Sequence, residues 1–388
     1  MPATAAPGRF IGHAIAASAV LCSAAFAQSI TRIGVLAGQT GSAALSVSDD
    51  GRVVVGQSGD RAIRWTSDTG IQDLGVLAGQ SNSAATSVSS DGNTIVGGSG
   101  TQAFRWTSST GLQSVFSASG SLGSYALDVS ADGSVIAGYR GFDAFEWSLS
   151  DGGQVILPEA QARGVSADGS TFVGYSYSTG HAYRWSQATG LELLVAGAGA
   201  EDISSDGSTM VGWVFTGEGQ RGFVTKPGFS FTVIPGLIGS TGAYAHAISD
   251  TGVVVGGDSD SAGQRAFLWT AATGTQSLSH YLSLRGVDLS GWTSLNAALG
   301  VSSDGRFVVG YGTYGGSQQA FIADISEPPP CAVADLFADS VVNGADLGIL
   351  LSQWGPAPAS TVSDLNRDGS VDGADLGYLL ANWGPCSN

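Results

Sequence analysis

Short runs of β-branched and aromatic residues alternate with turn residues along most of the chain. The pattern Val-Ser-x-Asp-Gly, or a close variant, occurs seven times, at residues 47–51, 88–92, 129–133, 165–169, 203–207, 248–252 and 301–305. An apolar run that ends in Gly follows each copy, and a short aromatic strand such as residues 103–106 (AFRW) comes next. Asp-Gly between such runs is a strong hairpin signal. Each unit therefore predicts short antiparallel strands joined by tight turns.

The spacing of these units indicates how they assemble. Four short strands repeating at about 40 to 45 residues are typical of propeller blades. Residues 30–36 (ITRIGVL) match residues 71–77 (IQDLGVL), which form the fourth strand of a unit, whereas no fourth strand follows residues 320–324. We expect the N-terminal strand to complete the last blade. The sequence thus predicts an all-β fold, a closed seven-bladed β-propeller over residues 28–326.

The repeated units resemble the extracellular HAF repeat, named for a His-Ala-Phe core. That core appears at residues 181–183 (HAY), 102–104 (QAF), 265–267 (RAF) and 319–321 (QAF). The resemblance implies an extracellular protein and no particular reaction. The Ser-x-Asp-Gly turn is also similar to the repeat of TolB-type propellers, which lacks the Phe-x-Trp strand.

Composition agrees with this fold and narrows the partners. Of 388 residues, 59 are Gly, a residue that helix interiors tolerate poorly. The net charge is −17 and Lys226 is the single lysine, which disfavours nucleic acid or an anionic membrane as a partner.

The N-terminus reads as a targeting segment. Residues 1–27 hold one charged residue, then an apolar stretch that ends in Ala-Phe-Ala, the pattern of a signal-peptidase site. An uncleaved anchor is the alternative. No later apolar run is long enough to span a bilayer. We expect a secreted bacterial protein, extracellular or at the cell surface.

A Pro-rich linker at residues 327–332 precedes a duplicated pattern in residues 333–388. In its second copy, oxygen-bearing side chains occupy positions 1, 3, 5, 7, 9 and 12 of an EF-hand-type loop, with Gly369 at position 6; they are Asp364, Asn366, Asp368, Ser370, Asp372 and Asp375. This spacing predicts calcium binding. The first copy keeps only Asp335, Asp339, Asn343 and Asp346, so we expect weaker binding there.

Duplicated loop-helix units with Asp at position 12 resemble a dockerin. The resemblance implies a cohesin-like or other surface protein as partner, and a polysaccharide-related setting. The bracketing Cys331 and Cys386 resemble those of GC-type dockerins and read as one disulfide in a secreted domain. Apolar residues at Leu376, Leu379, Leu380 and Trp383 predict one packed helix face, and Leu347, Leu350, Leu351 and Trp354 repeat it.

The residue after the Gly that ends each apolar run is the candidate ligand position. The seven residues are Gln57, Gly98, Tyr139, Tyr175, Trp213, Asp258 and Tyr311, four of them amphipathic aromatics that would suit a glycan. Packing between blades is the alternative interpretation.

No catalytic motif emerges. His181, His246 and His280 have no metal-site spacing, and the repeated Asp of each Asp-Gly pair reads as a turn residue. The first hypothesis is a non-catalytic binding propeller tethered by its calcium module. A glycosidase or polysaccharide lyase and a purely structural surface protein are the alternatives, so enzyme activity stays open.

Overall fold

The computed structural model describes residues 28–116, 122–226, 230–326, 333–337, 341–357, 361–366 and 368–385. The predicted signal peptide, the linker, Asp339, Cys331 and Cys386 lie outside these residues. The disulfide and the domain boundaries therefore stay predictions.

Seven four-stranded antiparallel sheets follow one another along the chain and form the blades. Blades 1 to 4 contain β2 (Ser42–Val47), β3 (Val54–Ser58), β4 (Arg61–Thr66) and β5 (Gly70–Gly75); β6 (Ser83–Val88), β7 (Ile95–Ser99), β8 (Gln102–Thr107) and β9 (Gly111–Ser114); β10 (Ser124–Val129), β11 (Val135–Arg140), β12 (Asp143–Ser148) and β13 (Gly152–Leu157); and β14 (Ala160–Val165), β15 (Thr171–Ser176), β16 (His181–Ser186) and β17 (Gly190–Ala196). Blades 5 to 7 contain β18 (Ala198–Ile203), β19 (Met210–Thr216), β20 (Gly219–Lys226) and β21 (Ser230–Ile234); β22 (Gly242–Ile248), β23 (Val254–Asp260), β24 (Gly263–Thr270) and β25 (Gly274–Ser277); and β26 (Trp292–Val301), β27 (Phe307–Tyr314), β28 (Ser317–Asp324) and β1 (Ser29–Gly34). A short helix, α1 (Leu278–Ser283), connects blades 6 and 7.

The N-terminal strand closes the ring, as the sequence predicts. β1 pairs antiparallel with β28, with Ser29 opposite Asp324 and Gly34 opposite Ala320. The first strand of each blade contacts the first strands of both neighbouring blades, and these contacts include β26 with β2. The all-β fold and the seven-bladed closed propeller are confirmed.

A bulge in the inner strand of every blade explains a repeated glycine. In blade 2 the pairing of β6 with β7 shifts between Ala85 and Ser87. A Cβ on Gly97 would overlap the backbone carbonyl oxygen of Ala84. The six equivalent glycines face an inner-strand carbonyl oxygen in the same way; they are Gly56, Gly138, Gly174, Gly212, Gly256 and Gly310. The Gly that ends each apolar run is therefore required by the close approach of two strands.

The Ser-x-Asp-Gly turns build one face of the ring. In six turns the Asp carboxylate accepts two hydrogen bonds, one from the Ser hydroxyl two residues earlier and one from the backbone N–H two residues later. These residues are Asp50, Asp91, Asp132, Asp168, Asp206 and Asp304. Their interpretation as turn residues is confirmed.

These turns also link the blades to one another. The backbone N–H of Asp49 donates to the carbonyl oxygen of Ser90 at 3.1 Å, and four further bonds of this kind connect successive turns. At two interfaces a carboxylate takes the carbonyl's place: Ser205 N–H donates to Asp250 at 2.8 Å, and Ser303 N–H donates to Asp49 at 3.3 Å. Seven hydrogen bonds thus run in a closed circle around this face, which we call the turn face.

The C-terminal residues form two short helices, α2 (Gly344–Ser352) and α3 (Gly373–Ala381), with four two-residue strands: β29 (Val341–Val342), β30 (Gly355–Pro356), β31 (Ser370–Val371) and β32 (Gly384–Pro385). The helices contact each other around Leu350 and Leu379, which are fully buried. The predicted helix face is only half correct, because Leu351, Trp354, Leu380 and Trp383 are each about half exposed. In the parts of the chain that the structure covers, no helix has the length and apolar character needed to cross a membrane.

Candidate functional site

The inner strands surround a central cavity of about 390 Å³ that reaches inward from the turn face. The bulged residue of each inner strand lines it, and the seven residues at this position are Leu45, Thr86, Leu127, Arg163, Glu201, His246 and Leu299. The cavity is therefore two-sided: blades 7, 1, 2 and 3 contribute apolar residues and one Thr, and blades 4, 5 and 6 contribute ionisable residues. We call Arg163, Glu201 and His246 the channel triad.

Glu201 connects the channel triad to the second strand of blade 5. Its Oε2 accepts a hydrogen bond from Arg163 Nη1 at 2.7 Å, and its Oε1 accepts one from Trp213 Nε1 at 2.9 Å. The carboxylate is 13% exposed, so this ion pair is shielded better than a surface pair. Burial raises the pKa of Glu201, while Arg163 and Trp213 oppose that shift by stabilising the charged form.

Two further carboxyl groups line the cavity: Asp128 follows Leu127 and Asp202 follows Glu201, each one residue nearer the turn face. Asp128 accepts hydrogen bonds from the Ser87 hydroxyl at 2.7 Å and from the Val165 N–H at 2.9 Å. Asp202 accepts the Ile248 N–H of the next blade at 2.8 Å. Burial raises the pKa of both groups, and the charge of Asp128 helps to raise that of Asp202 to about 7. Both carboxyl groups therefore connect blades, and they interact with each other.

His246 is held in its neutral form. Burial and the nearby positive charge of Arg163 lower its pKa to about 4. Its ring stacks on Tyr244 with centroids 5.8 Å apart and planes 10° apart. Near neutral pH His246 therefore adds no charge to the Arg163–Glu201 pair.

Aromatic side chains gather beyond the channel triad, toward the end of the ring opposite the turn face. Trp213 is the centre: its ring lies 5.7 Å from Tyr175, 5.4 Å from Phe215 and 6.2 Å from Tyr244, measured between centroids. Tyr177 contacts Tyr175 at 5.4 Å. Phe215 is 65% exposed, Tyr177 45% and Tyr244 37%. We call these five residues the aromatic patch; they span blades 4 to 6.

Gly199 makes room for the centre of the aromatic patch. It pairs with Trp213 across the first two strands of blade 5. A Cβ at Gly199 would lie 2.8 Å from the indole ring. The missing side chain lets the indole lie over the inner strand, where its N–H reaches Glu201.

Of the four aromatic residues predicted from the repeat, two meet. Tyr175 and Trp213 are in the aromatic patch, whereas Tyr139 stacks on Tyr125 in blade 3 at 6.1 Å. Tyr311 lies in blade 7 and its hydroxyl donates to Gln264 at 3.0 Å.

The assignment of Asp258 to this register position is wrong. The turn at residues 248–252 is one residue shorter than the others: the Ser249 hydroxyl accepts the N–H of Val253, four residues on instead of five. Gly256 is therefore the equivalent glycine and Gly257 the residue after it. Asp258 pairs instead with Arg265.

The second C-terminal loop has an all-oxygen donor set, which suits Ca²⁺ chemically. Asp364 accepts the N–H groups of Asp368 at 3.1 Å and Gly369 at 3.0 Å. Asp375 is fully buried and accepts those of Leu365 at 2.7 Å and Asp372 at 2.8 Å. Within the described ranges, no three His, Cys, Asp or Glu side chains are grouped as a metal site. Calcium binding stays a prediction.

The first loop repeats the same framework with fewer donors. Asp346 is fully buried and accepts the N–H groups of Phe337 and Asn343, both at 2.8 Å. Asn343 in turn caps α2 through its side chain, as Asp372 caps α3. The last acidic residue of each loop is thus part of a capping box at a helix N-terminus.

The channel triad was not identified from the sequence. Its signal is nevertheless present: Arg163, Glu201 and His246 each stand three residues before the Ser of the repeated turn. Leu or Thr occupies that position in the other four units. An alignment of the units at this position would have singled out the three ionisable residues.

Solved structures with the same fold include two oligogalacturonate lyases. The lyase of Vibrio parahaemolyticus is 13% identical, with a TM-score of 0.55, and the alignment covers 77% of this chain and 94% of that one. An oligogalacturonate lyase in complex with manganese is also 13% identical, with a TM-score of 0.52 and coverage of 77% and 93%. TolB from Acinetobacter baumannii is 12% identical, with a TM-score of 0.42 and coverage of 70% and 80%. No protein-family model and no curated protein matches the chain. At these identities the likeness concerns the fold alone.

Proposed function

We propose that this protein is a secreted, non-catalytic propeller that binds a carbohydrate chain through the aromatic patch. The observation that carries the proposal is the patch itself, in which exposed rings from three consecutive blades surround Trp213. Flat apolar faces beside polar groups suit sugar rings, which are apolar on their faces and polar at their edges. The names of the two lyases of the same fold add a polysaccharide context.

Binding is favoured over catalysis by the state of the acidic side chains. A glycosidase needs two carboxyl groups that flank the scissile bond. Asp128 and Asp202 in the cavity accept backbone N–H groups of neighbouring blades, and Glu201 is paired with Arg163. Asp128 and Asp202 thus connect the blades of the propeller, and Glu201 holds Trp213 of the aromatic patch.

The same proposal assigns the C-terminal residues 333–388 to a calcium-dependent, dockerin-like module. It would tether the propeller to a cohesin-like or other surface protein outside the cell. The duplicated loop-helix units and the oxygen donors of the second loop support this assignment.

A glycan array probed with the full chain tests the proposal. Trp213→Ala should weaken binding at least about tenfold, the size expected for a central aromatic residue of an interface. Tyr311→Ala is the matched control, because it removes an aromatic residue at the same register position in blade 7. Equal losses in both variants, or no glycan bound by the wild type, would refute the patch as a binding site. Release of new reducing ends would instead establish an enzyme.

A further inference from the structure

The charges around the aromatic patch carry a second inference, which rests on the proposed function and concerns the kind of sugar. Recognition of an acidic sugar requires a cation, most often the planar fork of an Arg that can hold a carboxylate with two hydrogen bonds. Arg163 is the only cation among the seven channel positions, and Glu201 already binds it at 2.7 Å.

Two other arginines of these blades also have acidic neighbours, and Arg184 lies on the third strand of blade 4, opposite Val173 and Glu192. Arg221 lies 3.9 Å from Glu218, and Arg265 is bonded to Asp258 and lies 3.1 Å from Asp260. In blade 3, the Arg140 guanidinium stacks on Phe116 at 4.8 Å.

Unbalanced carboxyl groups lie nearby. Asp128 and Asp202 line the cavity beside Leu127 and Glu201, and they accept hydrogen bonds from the Ser87 hydroxyl and from backbone N–H groups rather than from a cation. The propeller over residues 28–326 has 24 acidic and 13 basic residues, so the surface also repels a polyanion at longer range.

We propose that the aromatic patch selects uncharged sugar rings and rejects uronic acids. The rings supply stacking that every pyranose can use, and the paired Arg163 leaves a uronate without a counter-ion. The preference would therefore be opposite to the one implied by the names of the lyases that share the fold.

The test compares sugars that differ only in charge. Uronic-acid oligosaccharides and their carboxyl-reduced forms, which have the same linkages, are arrayed together and probed with the full chain. A like charge about 7 Å away costs roughly 0.6 to 2.4 kcal/mol at effective dielectric constants of 80 and 20, which corresponds to about 3- to 50-fold weaker binding of the acidic form. Equal or tighter binding of the acidic form would overturn the inference and leave the binding function intact. Failure of every sugar to bind would remove the proposed function itself.

Variants that remove the charges of the Arg163–Glu201 pair, singly and together, test whether this ion pair causes the preference for neutral sugars. Glu201→Gln keeps an acceptor for the Trp213 N–H but leaves Arg163 without its counter-ion, so the ratio of neutral to acidic affinity should fall at least about threefold. Glu146→Gln, which removes the same charge on the third strand of blade 3, should leave the ratio unchanged. In the double variant Arg163→Gln/Glu201→Gln both charges are gone, and the ratio should return toward that of the wild type. An unchanged ratio in Glu201→Gln with retained neutral-sugar binding would contradict the role of this ion pair. Loss of neutral-sugar binding in the same variant would show instead that Glu201 only positions Trp213, and would refute the charge mechanism.

Discussion

Replacing Gly97 by Ala tests why the chain is so rich in glycine. Gly97 lies in β7 opposite the bulge of β6, and its φ is not in the left-handed region. An added Cβ would overlap the carbonyl oxygen of Ala84 and lie 3.0 Å from the Ala85 Cα. Both obstacles are backbone atoms, so no side-chain rotation relieves the overlap and the bulge itself must move.

The cost follows from the geometry. Overpacking of a well-packed interior costs about 1 to 3 kcal/mol when side chains can adjust, and the upper end applies here because the backbone must shift. For a propeller of this size, with about 2.1 cal/mol/K of unfolding entropy per residue, about 3 kcal/mol corresponds to a melting temperature about 5 °C lower. Thermal unfolding followed by circular dichroism measures it.

Gly217→Ala is the matched control. Gly217 lies in a turn with nothing within 4 Å of its added Cβ and without a left-handed φ, so the substitution should be neutral or stabilising by about 0.4 to 1 kcal/mol. If Gly97→Ala and Gly217→Ala melt within about 2 °C of each other, the steric account of the repeated glycine is refuted.

Two further predictions concern charge. Between pH 4 and 7, Asp202 and His246 change the stability of the protein in opposite directions. The folded pKa of Asp202 is raised to about 7, so its contribution to stability is lost as the pH rises. The folded pKa of His246 is lowered to about 4, so its contribution is lost as the pH falls. The melting temperature of Asp202→Asn should therefore rise more steeply with pH than that of the wild type, and the melting temperature of His246→Gln should rise less steeply. Parallel curves for all three proteins would contradict the two shifted pKa values. For calcium, titration calorimetry of the full chain should show the main binding event lost in Asp364→Ala and retained in Asp335→Ala, which occupies position 1 of the first loop. Equal loss in both variants would show that the loops do not differ as their donor sets indicate.

The propeller could be predicted because its information is local and repeated. Each Asp-Gly turn fixes a hairpin, and the match of residues 30–36 to residues 71–77 shows which strand closes the ring. Turn bonds such as Ser48 hydroxyl to Asp50, at 2.7 Å, span two residues and so leave a short motif.

The candidate site was harder to predict because it depends on contacts between units. The bond between Trp213 and Glu201 joins two strands, and that between Arg163 and Glu201 joins two blades. Neither has a characteristic spacing along the chain. The one-residue deletion in the sixth turn also displaced Asp258 from its true register, which only the pairing of β22 with β23 reveals.

The closing strand has a consequence for the order of folding. Gln28 and Ser326, whose side-chain and backbone groups bond at 2.7 Å, are 298 residues apart, and β1 finds its partner only when β28 exists. Six blades can form as neighbouring hairpins while the chain is still growing. β1 therefore pairs only after β28 has formed, and the entropy cost of closing this long loop arises in the last step of propeller folding. A chain truncated before residue 317 would lack β28, so β1 would have no partner, β27 would keep an unpaired edge, and the ring could not close.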